Sequence, residues 1–275
     1  MTPFSAYVPC YNNAKTISQA LSSLQRQSLP TTDLFLIDDG SSDGSAAIAL
    51  ELGAAVVCFD KNMGRGAVRA RAMELARHEL VLCCDATNHL PVHFASQALR
   101  WFTDPGVAAV FGRIEQMDNR SLADRWRGRH LFKLAKPAAV RHGAPLSTWG
   151  CVLRRSAVLA VGNFDASLRH SEDAELGRRL LAAGFDVVFD PTLQVISGVS
   201  NTRLGVLERY WRWHAGEREQ VSLSSYVRQV WYSLRVLVPR DIADGDLLAV
   251  PLSLLCPHYQ FWKSWGRRIS GRVQS

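Results

Sequence analysis

The sequence predicts an α/β fold in which a mostly parallel central sheet is flanked by helices and followed by a helical carboxyl-terminal region. Over roughly the first hundred residues, short apolar runs alternate with segments of helical spacing, which is the pattern of βαβ units. After Pro191 the character of the chain changes, and from Arg203 onward it is rich in Trp and Arg. We therefore expect one domain over 1–202, divided at about residue 114 into two halves, and a helical region over 203–275.

Six extended runs predict strands, because each is short, apolar and bounded by turn residues. They are 5–9, 34–37, 54–59, 79–84, 107–114 and 149–153. Ile17, Leu21 and Leu24 recur at helical spacing and predict a helix after the first strand. Asn12 or Asn13 is a suitable cap for it.

Two further helices are predicted over 66–77 and 171–183. The second begins at the cap residue Ser171, carries acidic residues in its first turn, where the helix dipole favours them, and stops at Gly184. The stretch 117–147 has no clean period and is rich in basic residues. Because it is long for a loop in a compact domain, we expect it to be functional or mobile.

Composition and local patterns indicate the cellular compartment of the protein and its relation to the membrane. The six cysteines lack the short paired spacings of zinc sites or disulfide frameworks, and the amino terminus enters a strand without a secretory pattern. The apolar run 247–256 is about half of the ~20 residues that a spanning helix needs. We expect a cytoplasmic protein without a transmembrane segment.

The net charge of +7 favours acidic partners, and no nucleic-acid motif accompanies it.

Acidic residues follow two of the predicted strands. Asp38 and Asp39 come directly after one strand, and Asp85 comes after another. In parallel sheets, ligands bind at the carboxyl ends of the strands. The sequence therefore predicts a ligand site at this edge of the sheet.

Several motifs in order resemble the family-two glycosyltransferases of the GT-A fold. They are Val8-Pro9-Cys10-Tyr11-Asn12, Ile37-Asp38-Asp39-Gly40-Ser41-Ser42-Asp43, Asn62-Met63-Gly64-Arg65-Gly66-Ala67-Val68-Arg69-Ala70, residues 82–91, and His170-Ser171-Glu172-Asp173. The third is similar to the polyprenyl-phosphate sugar transferases. The resemblance covers roughly residues 4 to 215, and the order of the motifs is more specific than any one of them.

The resemblance implies a GT-A fold whose first half, about 1–114, binds a nucleotide sugar and whose second half, about 115–202, binds the acceptor. It implies inverting transfer of a sugar from a UDP- or GDP-sugar to a hydroxyl or phosphate of a glycan or lipid-linked acceptor. Such transfer would belong to cell-surface polysaccharide or glycolipid synthesis.

For the nucleotide, the resemblance implies that Pro9, Tyr11 and Asn12 line the base. It also implies that Asp38 or Asp39 accepts hydrogen bonds from the base or ribose. The alternative is that the Asp-Gly-Ser-Ser-Asp stretch is only a solvated turn.

Two arginines are candidate ligands of the donor diphosphate. Arg69 and Arg71 lie on the predicted helix after a glycine-bearing turn, where backbone amides also favour phosphate. Because a guanidinium can pair with a diphosphate through two hydrogen bonds, we expect Arg69 to bind it. Arg71 is the weaker companion, since one of the two belongs on the solvated face.

The resemblance places a Mg or Mn ion at Asp85, with a second acidic residue two positions later. Here that position is Thr87, which carries no charge. Metal binding would then rest on Asp85 with diphosphate oxygens and water, helped by Asn88 or His89. The alternatives are that arginines neutralise the leaving group instead, or that activity has been lost.

The resemblance assigns Asp173 as the base that takes the proton of the acceptor hydroxyl. The same acidic pair also stabilises the first turn of a helix, and the two roles are compatible. We expect Glu172 to orient a neighbour or the acceptor.

Four residues are expected to contact the acceptor. Trp149 and Gly150 fall where the family places acceptor-contacting backbone and an aromatic platform, although a core role fits Trp149 almost equally well. Arg212 and Trp213 belong to Arg209-Tyr210-Trp211-Arg212-Trp213, which resembles the (Q/R)xxRW element of processive relatives. Since the chain lacks those enzymes' membrane channel, we expect a single transfer.

Interleaved aromatic and basic residues near the carboxyl terminus suit peripheral contact with an anionic membrane on the inner face of the plasma membrane. They are Trp231, Tyr232, Arg235, Trp262, Lys263, Trp265, Arg267 and Arg268. The alternative is core packing with a solvated basic edge.

Two rival functions remain from the sequence. A sugar-nucleotide pyrophosphorylase would need a basic, glycine-rich loop after the first strand, and residues 8–12 are not such a loop. A nucleotide-binding scaffold without turnover is favoured by Thr87 and opposed by the Glu172-Asp173 pair.

Overall fold

The central element is one mixed sheet of eight strands in a computed structural model that describes residues 2–116, 121–132, 138–214 and 221–273, the last seven as backbone. The strands are β1 (Phe4–Cys10), β2 (Asp33–Asp38), β3 (Ala55–Cys58), β4 (Leu80–Cys84), β5 (Asn88–His89), β6 (Val107–Gln116), β7 (Gly150–Arg154) and β8 (Asp186–Ser197). Their order is β3-β2-β1-β4-β7-β6-β8-β5. Strands β3, β2, β1 and β4 are parallel, as are β6 and β8, whereas β7 and β5 run antiparallel to their neighbours.

Helices follow most of the strands, as the alternating pattern predicts. They are α1 (Ile17–Gln25), α2 (Ser45–Glu51), α3 (Arg65–Leu75), α4 (Phe94–Ala98), α5 (Leu122–Arg127), α6 (Arg155–Ala160), α7 (Glu172–Ala182), α8 (Arg203–His214), α9 (Leu223–Tyr232), α10 (Val238–Ala243) and α11 (Val250–Val273). The predicted helices correspond to α1, α3 and α7, with ends that shift by one or two residues.

Burial explains why the apolar runs form these elements. All five residues of β4 are buried, as expected for a central strand covered on both faces. Ile17, Leu21 and Leu24 of α1 are also buried, so the helical spacing that predicts α1 marks its core face. Each such side chain contributes about 1.5–3 kcal/mol on leaving water.

The described chain forms two compact units. The sheet unit contains 2–116 and 138–199, and the helical unit contains 121–132, 200–214 and 221–273. The helical unit has its own core, in which Trp126 and Tyr210 are fully buried. The sequence-based division at residue 202 differs in one respect, because 121–132 groups with the helical unit. This segment contains α5, which begins where the Ser121 hydroxyl accepts the Asp124 amide hydrogen.

The sequence does not predict β8, although it is the longest strand. Pro191 lies inside it, and proline normally argues against a central strand. The register resolves the conflict: Gly112 pairs with Asp190, whereas Arg113 pairs with Gln194. The extra residues on β8 form a bulge that contains the proline, so no ladder hydrogen bond is lost there.

Candidate active site

The turns after β1 and β2 are joined by hydrogen bonds at the carboxyl edge of the sheet. The Asn12 amide donates to the Ser41 hydroxyl (2.8 Å), and the Asn12 side-chain oxygen accepts from the Ser42 amide (2.9 Å). Asp38 is buried and accepts from the backbone amide and hydroxyl of Ser41. Tyr11 stays exposed beside this pair of turns, and Pro9 is half-buried. The edge therefore presents an ordered pair of loops in the place where a nucleotide is expected.

Asp39 has a different environment from Asp38. Its carboxylate accepts from the backbone amides of Met63 (2.6 Å) and Gly64 (3.0 Å) and from the Asn62 side chain (2.9 Å). Burial raises the pKa of Asp39, and the two backbone hydrogen bonds oppose that shift. Asp39 thus fixes the turn that precedes α3.

Gly66 brings this turn against the segment that leads to α7. Its amide donates to the Leu168 carbonyl (2.9 Å), and a Cβ at Gly66 would lie 2.0 Å from the Asp165 carbonyl oxygen. Only glycine permits that approach. Arg169 then hydrogen bonds to Asn62. The turn that precedes α3 and the segment that leads to α7 are therefore packed together.

Arg69 lies buried between two acidic residues. Its Nε donates to Glu172 (2.9 Å) and its Nη2 donates to Asp85 (2.9 Å). Nη1 donates to the Cys83 sulfur (2.8 Å) and the Tyr7 hydroxyl (3.3 Å). With the side chain 2% exposed, the guanidinium points at protein acceptors and not at the surface. This position differs from the predicted diphosphate clamp, because the guanidinium is buried and already donates four hydrogen bonds to protein atoms.

The neighbouring Arg71 is on the solvated face of α3, as one of the two arginines must be. It pairs with Glu74 at 2.9 Å, and both side chains are exposed.

Asp85 follows β4 and is the partly accessible end of this network. Its side chain is 26% exposed, whereas that of Glu172 is 2% exposed. Oδ1 receives the Arg69 hydrogen bond, and the Asp85 backbone amide donates to the Trp149 carbonyl (3.4 Å). One face of the carboxylate is thus held by the protein while another reaches the surface.

Asp173 occupies the first turn of α7, next to Glu172. Its Oδ1 accepts from the Ala174 amide (2.8 Å), and the Thr148 hydroxyl lies 3.5 Å from Oδ2. Burial, and then the adjacent charge of Glu172, raise the pKa of Asp173 to about 6. A carboxylate with this pKa is ionised at neutral pH and is a stronger base than an exposed aspartate.

Trp149 and Gly150 lie at the start of β7, across from the end of β4. The Trp149 indole donates to the Gly112 carbonyl (2.9 Å) and packs edge-on against Phe111. A Cβ at Gly150 would lie 2.5 Å from Val195, so glycine is needed for packing there. These contacts give both residues a structural role, and their contact with an acceptor stays a prediction.

Arg212 and Trp213 belong to α8 of the helical unit. Trp213 is 38% exposed and its ring lies 5.9 Å from that of Phe132. Their predicted contact with an acceptor also stays a prediction.

The residues around Asp85 fit a cation only if the donor supplies most of its ligands. The described residues contain no group of three or more His, Cys, Asp or Glu side chains that could hold a metal. Asn88 donates to the Trp149 carbonyl and is 4% exposed. Because Mg²⁺ is commonly bound by one or two carboxylates together with substrate phosphates, the accessible part of Asp85 is compatible with such a site.

Several residues of the network were missed by sequence reasoning. Tyr7 and Cys83 look like ordinary members of apolar strands, and nothing in their spacing marks them as partners of Arg69. Thr148 and Arg169 are each within four residues of a predicted site residue. Proximity to the motifs was the available signal for them.

The sheet, with strand-end carboxylates joined through a buried arginine to an acidic helix start, has the architecture that the GT-A fold predicts. Residues 5–162 match glycosyl transferase family 2, which is more than half of the chain. The chain belongs to this family, which favours a transferase over a pyrophosphorylase.

The chain is similar to poly-β-1,6-N-acetyl-D-glucosamine synthases. It is 24% identical to that of Staphylococcus aureus (strain COL) over 220 residues, 76% of this chain and 53% of the relative. It is 23% identical to that of Staphylococcus epidermidis over 252 residues, 87% of this chain and 61% of the relative. The chain therefore spans little more than half the length of these relatives.

Two solved structures share the fold. The mannosyltransferase PcManGT from Pyrobaculum calidifontis, in complex with GDP-Man and Mn²⁺, superimposes with a TM-score of 0.66 at 16% identity, over 94% of this chain and 85% of that one. S. aureus TarS in complex with UDP-GlcNAc gives a TM-score of 0.58 at 15% identity, over 100% of this chain and 93% of that one. At these identities the likeness shows a GT-A fold, as predicted.

Proposed function

We propose that this chain is an inverting glycosyltransferase that moves a sugar from a UDP- or GDP-sugar to a hydroxyl or phosphate of a glycan or lipid-linked acceptor. The observation that carries the proposal is the Arg69 network, in which one buried guanidinium joins Asp85 to Glu172 beside Asp173. A carboxylate at the donor side and a base with a raised pKa are thereby held in one rigid frame.

Asp173 is the proposed base. Its carboxylate takes the proton of the acceptor hydroxyl as that oxygen bonds to the anomeric carbon of the donor sugar. The bond between that carbon and the diphosphate oxygen breaks, and the electron pair leaves with the diphosphate. Attack opposite to the leaving group inverts the anomeric configuration. With a pKa of about 6, Asp173 is ionised at neutral pH. Because this pKa lies near the working pH, the carboxylate can accept a proton efficiently.

Asp38, Asp39, Pro9, Tyr11 and Asn12 form the proposed nucleotide pocket. Asp38 is the better candidate for a direct contact, because three groups of the 62–64 turn already occupy the Asp39 carboxylate. Asp39 then acts by shaping the pocket.

Asp85 is the proposed ligand of a Mg or Mn ion, shared with the diphosphate of the donor. When bound, such an ion neutralises charge that develops on the leaving diphosphate. Arg69 serves as a positioning residue, because it holds the Asp85 carboxylate at 2.9 Å and is too buried to contact the diphosphate itself.

The relatives support a glycan product. The named Staphylococcus synthases make poly-β-1,6-N-acetyl-D-glucosamine, and the two structural neighbours were solved with GDP-Man or UDP-GlcNAc. We propose single transfer in cell-surface polysaccharide or glycolipid synthesis. Trp149, Gly150, Arg212 and Trp213 remain the proposed acceptor contacts.

The test compares Asp173→Asn with Glu175→Gln. Both acids lie in the first turn of α7, but Glu175 is paired with Arg179 at 2.6 Å. We expect Asp173→Asn to lose transfer by about 10²- to 10⁴-fold while UDP or GDP affinity changes less than twofold. Glu175→Gln should keep transfer. The measurements are product formation, anomeric configuration by NMR, and calorimetry with and without Mn²⁺.

Three outcomes would contradict parts of the proposal. Full transfer by Asp173→Asn would remove the base assignment. Nucleotide binding without transfer to any acceptor would favour the scaffold without turnover. If nucleotide affinity were the same with and without Mn²⁺, protein side chains and not a cation would neutralise the charge of the leaving diphosphate.

We also propose that the helical unit contacts an anionic membrane at the cytoplasmic face. None of the residues of α9 is buried, and Leu223, Val227 and Trp231 form an exposed apolar stripe on it. The Arg235 guanidinium lies 4.5 Å from the centre of the Trp231 ring. An apolar stripe edged by a basic group matches an interface of lipid and anionic headgroups.

The same character recurs on α11, where Trp262 and Trp265 are exposed. The side chains of Arg267 and Arg268 lie outside the described residues. None of the described helices combines the length and apolarity needed to cross a bilayer. All six cysteines are free thiols, which suits the reducing cytoplasm.

Cosedimentation with vesicles measures this contact. We expect binding to vesicles that contain phosphatidylglycerol, weaker binding to pure phosphatidylcholine, and about tenfold weaker binding for Val227→Ser/Trp231→Ser. Exposed Leu50→Ser in the sheet unit is the control. Equal sedimentation of both variants would contradict the assignment to α9.

A further inference from the structure

A second cleft lies in the sheet unit, away from the candidate active site. Its volume is about 510 Å³, within the range of about 300–1,000 Å³ that is usual for small organic ligands. Its wall includes Gln97, Arg100, Trp101, His142, Asp190 and Thr192. None of these residues has a role in the proposed transfer.

Topology places this cleft near the edge of the sheet opposite to Asp85. Strand β7 runs antiparallel to both β4 and β6, so β4 and β6 point in the same direction. Asp85 follows the last residue of β4, whereas the cleft adjoins Val107, the first residue of β6. The cleft and the catalytic carboxylates are therefore separate sites.

The aromatic wall of the cleft is rigid. The Trp101 indole donates to Asp190 Oδ2 (2.9 Å), and Asp190 Oδ1 accepts from the backbone amide (2.9 Å) and hydroxyl (2.7 Å) of Thr192. The His142 ring meets Trp101 edge-on, with centroids 5.7 Å apart. Asp190 is 7% exposed, so this carboxylate is built into the wall. The arrangement costs little side-chain entropy when a ligand binds.

Polar groups with spare hydrogen-bonding capacity surround the indole. Gln97 and Arg100 are exposed and three positions apart along a helical segment. Within the described part of the chain, neither the side-chain amide of Gln97 nor the Arg100 guanidinium has a protein partner. Each offers a planar fork that can bind two adjacent hydroxyls.

The charges of the cleft select the class of ligand. Asp104 and Asp190 line the same cleft as Arg100, so the site has no excess of positive charge. A phosphate or diphosphate would meet repulsion from the two carboxylates. A neutral ligand with hydroxyl groups and an apolar face would satisfy the indole and the planar polar groups together.

We propose that this cleft is a second carbohydrate-binding site, which holds neutral sugar residues of a glycan at a distance from the reacting end. This proposal rests on the proposed function in one respect: the glycan that binds in the cleft is expected to be the acceptor or the product of the transfer. Such a site would keep a growing or long acceptor attached by raising its effective concentration.

The test measures the binding of neutral tetrasaccharides that differ in linkage to the whole chain by calorimetry. The ligands are cellotetraose, chitotetraose, maltotetraose and isomaltotetraose. We expect at least one of them to bind wild-type protein, and Arg100→Ala and Trp101→Phe each to weaken that binding at least fivefold. Gln97→Ala should weaken it less. Trp262→Phe, on an exposed ring of α11, is the matched control and should leave binding unchanged.

Nucleotide binding separates this proposal from the proposed function. UDP or GDP affinity should be the same in wild-type protein, Arg100→Ala and Trp101→Phe. Failure of all four tetrasaccharides to bind would overturn the second site, as would binding that Arg100→Ala and Trp101→Phe both leave intact. Absence of nucleotide binding with retained tetrasaccharide binding would overturn the donor assignment alone.

Discussion

Each unit contains a buried ion network, and the two networks differ in how their buried acidic side chains are paired. In the sheet unit, Arg69 joins Asp85 and Glu172, and the Asp85 side chain remains 26% exposed. In the helical unit, Arg129 pairs with Asp241 (2.6 Å), Asp244 (2.6 Å) and Asp246 (3.2 Å), and the Asp241 side chain is fully buried. The accessible acid is Asp85 in the first network and Asp244, 52% exposed, in the second, so the contrast lies in the pairing of the buried acids.

The pKa directions follow this difference. Burial alone would raise the pKa of Asp241, but hydrogen bonds from His130, Ser253 and Arg129 lower it overall. Asp173 has no comparable set of donors, so burial and the charge of Glu172 raise its pKa to about 6. A satisfied carboxylate stabilises a fold, whereas one kept basic by its surroundings suits catalysis.

Removal of the arginine from each network should affect the two units differently. Arg69→Met leaves Glu172 charged and buried, so we expect the free energy of unfolding to fall by about 3–5 kcal/mol and donor binding to weaken. Arg129→Met should cost about 2–4 kcal/mol and leave nucleotide affinity within twofold. Urea denaturation and calorimetry measure both effects.

Arg71→Met is the control for the first variant, since Arg71 lies two positions away on α3 and pairs only at the surface. It should change stability by less than about 0.5 kcal/mol. Arg69→Lys, which keeps the charge with fewer donors, should recover part of the lost stability. Normal nucleotide binding by folded Arg69→Met would show that the first network is as purely structural as the second.

The sequence could predict the part of this picture that depends on order and pattern. The alternating apolar runs predict β1 to β4 and α1 because each buries a continuous face. The acidic residues at the ends of β2 and β4 could be placed at one edge because parallel strands end together. The family resemblance supplied the fold; the match over residues 5–162 confirms the family, and the likeness to solved structures confirms the fold.

What the sequence could not predict depends on contacts between distant residues. Arg69 has the same side chain as Arg71, and only the approach of α7 decides which of them is buried. The β8 strand was missed because the bulge that accommodates Pro191 depends on pairing with β6. The second cleft depends on Trp101 meeting Asp190, 89 residues away.

The pH dependence of stability tests the direction of the pKa shift of Asp173 directly. Its folded pKa of about 6 lies above the value of about 3.9 expected for an unfolded chain, so ionised Asp173 costs stability above pH 6. Asp173→Asn should therefore raise the free energy of unfolding by about 2 kcal/mol at pH 7.5, and the gain should vanish below about pH 4. Thermal denaturation across this pH range measures it.

For Asp241→Asn we expect the opposite change in the free energy of unfolding. The pKa of Asp241 is lowered in the folded state, so its ionised form adds stability above the unfolded pKa, and this contribution is lost as the pH falls. The variant should therefore be less stable than wild type at pH 7.5, with a smaller difference in acid. If Asp173→Asn also lowered stability at pH 7.5, Asp173 would belong with Asp241 among the satisfied carboxylates, and its assignment as the base would lose its physical support.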